Sequence, residues 1–151
     1  MTPNESYSIL FKYFALSLFF SILLGYISNF VLDFFEYSNS DEEFKSMGYF
    51  EKLLLVCGIS PIIETLFFQL VPYCLISKYL TNNKKLTLLL MAFIFSIVHI
   101  YNPAYMFFTF LGGLILANFY FNIKKLNFSA FIWTTILHLF YNAYGFFIIG
   151  V

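Results

Sequence analysis

Leu53-Leu-Leu-Val-Cys57-Gly-Ile-Ser-Pro61-Ile-Ile-Glu64-Thr65-Leu-Phe-Phe-Gln69-Leu-Val-Pro72-Tyr-Cys74-Leu-Ile76 is a continuous apolar run interrupted by one carboxylate, Glu64. About 20 predominantly apolar residues cross the hydrocarbon of a bilayer as a helix, and this stretch is long enough. Four further segments share its character: Ser8 to Phe35, Leu86 to Tyr101, Tyr105 to Ile123 and Phe128 to Ile149. The third of the five is short and is closed by Asn102-Pro103, a turn signal, so the third and fourth should form an antiparallel hairpin. A barrel would show alternating segments of about ten residues, whereas these runs are continuously apolar. The expected class is all-α, a polytopic transmembrane bundle of about five spans in a single membrane domain, residues 1–151.

Composition agrees, because 61% of the chain is apolar and only 11% charged, against about a quarter charged in soluble domains. Eight lysines balance eight acids without one arginine, which leaves no basic face for nucleic acid. Cys57 and Cys74 lie on one expected helix roughly 25 Å apart by helical rise, too far to bridge. The first apolar run has no small-residue cleavage site after it and reads as a retained span.

The connections differ in sign. Glu36 to Lys52 carries Glu36, Asp41, Glu42, Glu43 and Glu51, while Lys78 to Lys85 and Lys124 to Lys125 carry only lysines. The lysine bias of short loops puts the latter two on the cytoplasmic side, with the N-terminus inside and both the acidic loop and the C-terminus outside. The acidic stretch Ser38 to Glu43 reads as a solvated loop, with substrate docking as its functional reading.

Seven of the eight acids sit at span ends or in connections; Glu64 does not. An acidic residue at a helix centre costs about 2.5 to 3.5 kcal/mol on insertion scales, so it faces a partner, a cavity or water. Both histidines, His99 and His138, also fall inside apolar segments. His138 and Asn142 are four apart and share a helix face, as would Phe95 and His99. Glu64 and Gln69 are five apart and only partly co-facial, with Thr65 between them, and Pro61 removes a backbone donor and frees a carbonyl nearby. A carboxylate beside a neutral imidazole can polarise one water, and an amide with a second imidazole can stabilise an oxyanion, so hydrolysis of an amide bond is the chemistry these types support. One carboxylate and two imidazoles would also suit zinc, a competing reading without an H-E-x-x-H motif behind it.

The order Glu64-Thr65-x-x-x-Gln69, Phe95-x-x-x-His99, His138-x-x-x-Asn142 resembles the CAAX protease and bacteriocin-processing (CPBP) family of glutamic intramembrane peptidases. That family's usual pattern is E-E-x-x-x-R, F-x-x-x-H and H-x-x-x-N, and the Phe110-Leu-Gly-Gly113 piece also looks like the family's glycine-containing helix. The likeness covers about Leu53 to Asn142, leaving the span at 8–35 as an addition. By position it implies that Glu64 and His99 activate water, that His138 and Asn142 form the oxyanion site, and that Thr65, Gln69 and Phe95 support them. It implies no metal and no cofactor. Thr65 and Gln69 replace the usual Glu and Arg together, which keeps buried charge balanced and favours peptide over prenyl-protein processing. The expected partners are the lipid bilayer and a peptide or membrane-protein substrate, with the plasma membrane of an AT-rich bacterium as the setting. The alternative is a catalytically silent bacteriocin-immunity or partner-binding protein on the same scaffold. The expected chamber gathers the second, third and fifth spans, with the fourth beside them.

Overall fold

A computed structural model describes residues 3–35, 44, 46–100 and 102–149, and in them every regular element is helical. Five rods follow in order: α1 (Pro3–Phe34), α2 (Tyr49–Tyr79), α3 (Lys84–Ser96), α4 (Pro103–Lys125) and α5 (Ala130–Ile149). The protein is an all-α helical bundle. Four of the rods are long and apolar enough to cross a membrane; α3 is not. The acidic residues Glu36 and Ser38 to Glu43, and Tyr101 at the expected end of the third span, lie outside the described residues.

Polar caps set the ends where the chain reverses. Asn83 Oδ1 accepts from the backbone N–H of Lys85 at 2.9 Å and of Leu86 at 3.3 Å, starting α3. Asn102 Oδ1 accepts from Tyr105 N–H at 2.7 Å, and Pro103 occupies the first turn where its missing N–H is not needed. Asn127, at φ 60°, makes the left-handed turn from α4 to α5 that asparagine tolerates.

The third span differs from expectation. Its helix stops at Ser96, 13 residues from its start, which is about 20 Å of rise against a hydrocarbon thickness of about 30 Å. Beyond Ser96, Ile97 to Ile100 and Asn102 are non-helical. His99 sits among them rather than on a helix face.

Two proline steps shape α2. A π-helical turn, Leu55–Ile59, precedes Ser60-Pro61, and a second, Leu66–Leu70, precedes Val71-Pro72. Proline lacks an N–H and its ring crowds the carbonyl four residues back, and a wider turn upstream relieves that crowding. Glu64, Thr65 and Gln69 therefore ride on a rod whose local pitch the two prolines control.

The dry core, with Leu10, Ile76, Met91, Leu116, Ala117, Phe119, Tyr120 and Ile123 among its members, lies at the lysine-bearing end, where Lys84 Nζ reaches Asn122 Oδ1 at 3.4 Å and Lys124 lies over the Tyr73 ring. Phe30, Phe34, Phe50 and Ile100 are more than 70% exposed, as rings and aliphatic groups bathed by lipid are.

A polar cavity at the centre of the bundle

Towards the opposite end the packing opens into a cavity of about 160 Å³. Glu64 of α2, Phe95 of α3, His99 of the following turn, and His138, Tyr141 and Asn142 of α5 line it. These positions come from four stretches of chain, and they include all four residues that the sequence marks for chemistry. Thr65 and Gln69 do not line it; both are fully buried inside the bundle, where the Leu66–Leu70 turn meets α3, α4 and α5.

Asn142 is held from outside the cavity. Leu55–Ile59 is wound with i to i+5 bonds, so the next bond in that register would run from the N–H of residue 61 to the Val56 carbonyl. Pro61 has no N–H to give. Asn142 Nδ2 donates to that carbonyl instead, at 2.9 Å. The carbonyl can only accept, so the amide group faces Val56 and its second N–H is left for another acceptor. Replacing Asn142 with Leu should strand the Val56 carbonyl and lower stability by about 1 to 3 kcal/mol. Adding Pro61→Ala, which restores the backbone donor, should recover most of that loss in thermal unfolding of detergent-solubilised protein.

His99 is fixed by one atom. Its Nδ1 lies 2.8 Å from the Phe95 carbonyl oxygen. A carbonyl is an acceptor only, so Nδ1 carries the proton, and in the neutral ring Nε2 is the bare nitrogen able to receive one. The imidazole also stacks on Phe95 with ring centroids 4.7 Å apart, so the i, i+4 relation read from the sequence survives although the helix has ended. Phe95 reaches the other imidazole too, 6.2 Å from the His138 ring centroid, and thus stands between the two histidines. His138 directs Nε2 at Glu64 Oε2, 3.6 Å away. That is beyond hydrogen-bond reach, so the contact does not by itself fix which ring nitrogen of His138 carries the proton.

The chamber is larger in membership than expected. α4 contributes Tyr105, Phe108, Thr109, Gly112 and Leu116, and α1 contributes Ser21, Leu24 and Ser28. The first span, an addition outside the motif-bearing stretch, is therefore a wall of the site, and the fourth is a second wall rather than a bystander. A faint signal for this existed: Ser21, Gly25 and Ser28 recur at helical spacing in a Phe- and Leu-rich helix, the small-residue pattern that lets helices approach closely. Gly25 faces the Tyr141 ring, and the Tyr26 and Tyr144 hydroxyls join α1 to α5 nearby. Among the described residues no three His, Cys, Asp or Glu side chains form a group that could hold a metal ion.

No curated protein and no solved structure matches the chain. Residues 47–144, about two thirds of it and all of the motif-bearing helices, match the family described as "Type II CAAX prenyl endopeptidase Rce1-like", a family of membrane-embedded peptidases. With the motifs in order, the helical bundle and that match, this multi-pass membrane protein belongs to the Rce1-like CAAX protease family.

Proposed function

We propose that the chain is an intramembrane glutamic endopeptidase that cleaves a peptide, or the membrane-associated segment of a protein, with a water activated by Glu64 and His99. One observation carries the reading: a carboxylate, two imidazoles and a carboxamide, drawn from separate parts of the chain, share a single cavity inside an apolar bundle.

The polar groups suit the division of labour. His99 offers a bare Nε2, so with Glu64 it can take protons from a water lying between them. His138 in its Nε2–H form and the second N–H of Asn142 are two donors for the oxyanion that forms when hydroxide adds to the scissile carbonyl. The proton taken from water then passes to the leaving amine, and the peptide bond breaks. A cavity of about 160 Å³ is close to one that holds a single benzene-sized group, so it admits one residue of substrate and its water, while a long prenyl chain would have to remain in lipid. That size and the neutral Thr65 and Gln69 favour peptide processing, and the Asn, Lys, Ile and Phe bias of the sequence favours a bacterial plasma membrane as its setting. The lysine-bearing end faces the cytoplasm in this reading, and the cavity, reached by His99 and Tyr105 near the start of α4, opens to the other side.

Comparative peptidomics of cells carrying the native chain or Glu64→Gln tests the proposal. New termini present only with the native chain, and insensitive to chelators, are expected. Identical peptide profiles in the two strains would instead support a silent immunity or partner-binding role, and chelator-sensitive cleavage a metal-dependent one.

A further inference from the structure

The seam between α2 and α5 contains a second polar group that the cavity does not use. The pairs His138–Glu64 and Asn142–Val56 show that the two rods run antiparallel, since falling numbers on α5 meet rising numbers on α2. Continuing one turn inward places Thr134 level with Gln69, and Thr65 level with His138; the Leu66–Leu70 turn packs on α5, as it does on α3 and α4. All four side chains are buried, with exposures of 0% for Thr65, 1% for Gln69, 0% for Thr134 and 4% for His138. Their polar atoms Thr65 Oγ1, Gln69 Oε1 and Nε2, Thr134 Oγ1 and His138 Nδ1 make no hydrogen bond to the described residues. An unsatisfied buried group costs about 1 to 3 kcal/mol, so five together in one seam are stable only if they serve one another, through rotamer adjustment or a bridging water.

Their chemistry allows a chain that satisfies every one of these atoms, and it can run in two directions. The Thr65 hydroxyl donates to Gln69 Oε1, one turn along the same rod. Gln69 Nε2–H donates across the seam to Thr134 Oγ1. The Thr134 hydroxyl donates to His138 Nδ1, towards which it is well placed, because helical side chains lean to the N-terminus and the imidazole lies over the turn that carries Thr134. Run this way, the chain leaves Nδ1 bare to accept and turns Nε2–H toward the Glu64 carboxylate 3.6 Å away, whereas the reverse run would set a bare Nε2 against that acceptor-only group.

We infer that Thr134 is a positioning residue, which with Thr65 and Gln69 forms a neutral donor chain that holds His138 in its Nε2–H tautomer. The kinetic consequence rests on the reading of His138 as an oxyanion donor, but the tautomer does not. The chain also gives Thr65 and Gln69 a joint task, one that a Glu and Arg pair could not perform with the same uncharged polarity.

Ring-¹⁵N-histidine NMR of the full-length protein in detergent tests this directly, since only two histidines are present and His138→Gln assigns them. His138 should show Nε2 protonated in the native protein and in Thr134→Ser, and a shift towards Nδ1–H in the near-isosteric Thr134→Val. Gln69→Met, which breaks the chain upstream, should move it in the same direction. The His99 signals, tied to the Phe95 carbonyl, should stay in place throughout. If cleavage is measurable, kcat for Thr134→Val should fall about 10- to 100-fold with KM unchanged, the range found when an outer partner of a site imidazole is removed, and Ser should rescue it. Unchanged His138 nitrogens in both Thr134→Val and Gln69→Met overturn the inference, and so does Ser behaving like Val. An inactive native protein with the expected NMR shifts would sink the peptidase reading and leave the donor chain standing.

Discussion

Glu64→Gln should slow peptide-bond hydrolysis by about 100- to 10,000-fold, the contribution of a general base, without loosening the bundle. Glutamine has nearly the same shape and can occupy the same half-buried place beside His138, but its amide has no basic oxygen to take a proton from water. Stability should hold or rise, because the change removes a charge from the middle of a membrane-spanning rod. Glu64→Asp separates basicity from placement. It keeps the carboxylate but withdraws it by a methylene, and a displacement on the order of 1 Å in a catalytic group costs about 100-fold. Rates for both variants against a reporter peptide, with melting temperatures from the same preparations, check the prediction. Near-native turnover by Glu64→Gln would remove Glu64 from the reaction.

Gly113→Val should be the most damaging change far from the reacting groups, lowering stability by about 1 to 3 kcal/mol and taking activity with it. At Gly113 the α4 backbone meets α3 so closely that an added Cβ would lie 3.0 Å from the Ala92 Cα and 3.1 Å from Phe95 Cδ1. The Ala92 atom is backbone, so the side chain cannot turn away and the helices must separate. Phe95 would move with them, and Phe95 is the ring against which His99 stacks and which His138 approaches edge-on. The adjacent Gly112 supplies the matched control, since a Cβ there meets only Leu24 Cδ2 at 3.9 Å, an ordinary contact. Gly112→Ala should therefore melt like the native protein, while Gly113→Val melts earlier and shows altered His99 ring signals. Equal melting temperatures for the two variants would show that α3 and α4 are not held by this contact.

The compensation expected between Asn142→Leu and Pro61→Ala shows which links in the chain of cause are local. Pro61 announces in the sequence that a carbonyl is deprived of its donor. Which carbonyl it is depends on the π-helical turn, because in α register the loss falls on Cys57 and in the wider register on Val56. That the replacement donor comes from Asn142, 86 positions further on, depends on how α5 docks against α2.

The primary sequence by itself determined the class and marked the candidates: runs of apolar residues have no favourable state except as bilayer-embedded helices, and Glu64, His99, His138 and Asn142 stand out because polar groups there need partners. Only the tertiary structure decided that α3 ends at Ser96, that His99 lies beyond that end, that α1 and α4 wall the cavity, and that Thr65, Gln69 and Thr134 are buried away from it. The physical reason is that burial in lipid is a property of each segment alone, read from composition. The facing of one rod by another depends on contacts between residues far apart in the chain, and at this depth nearly every helix face is apolar enough to turn inward or outward.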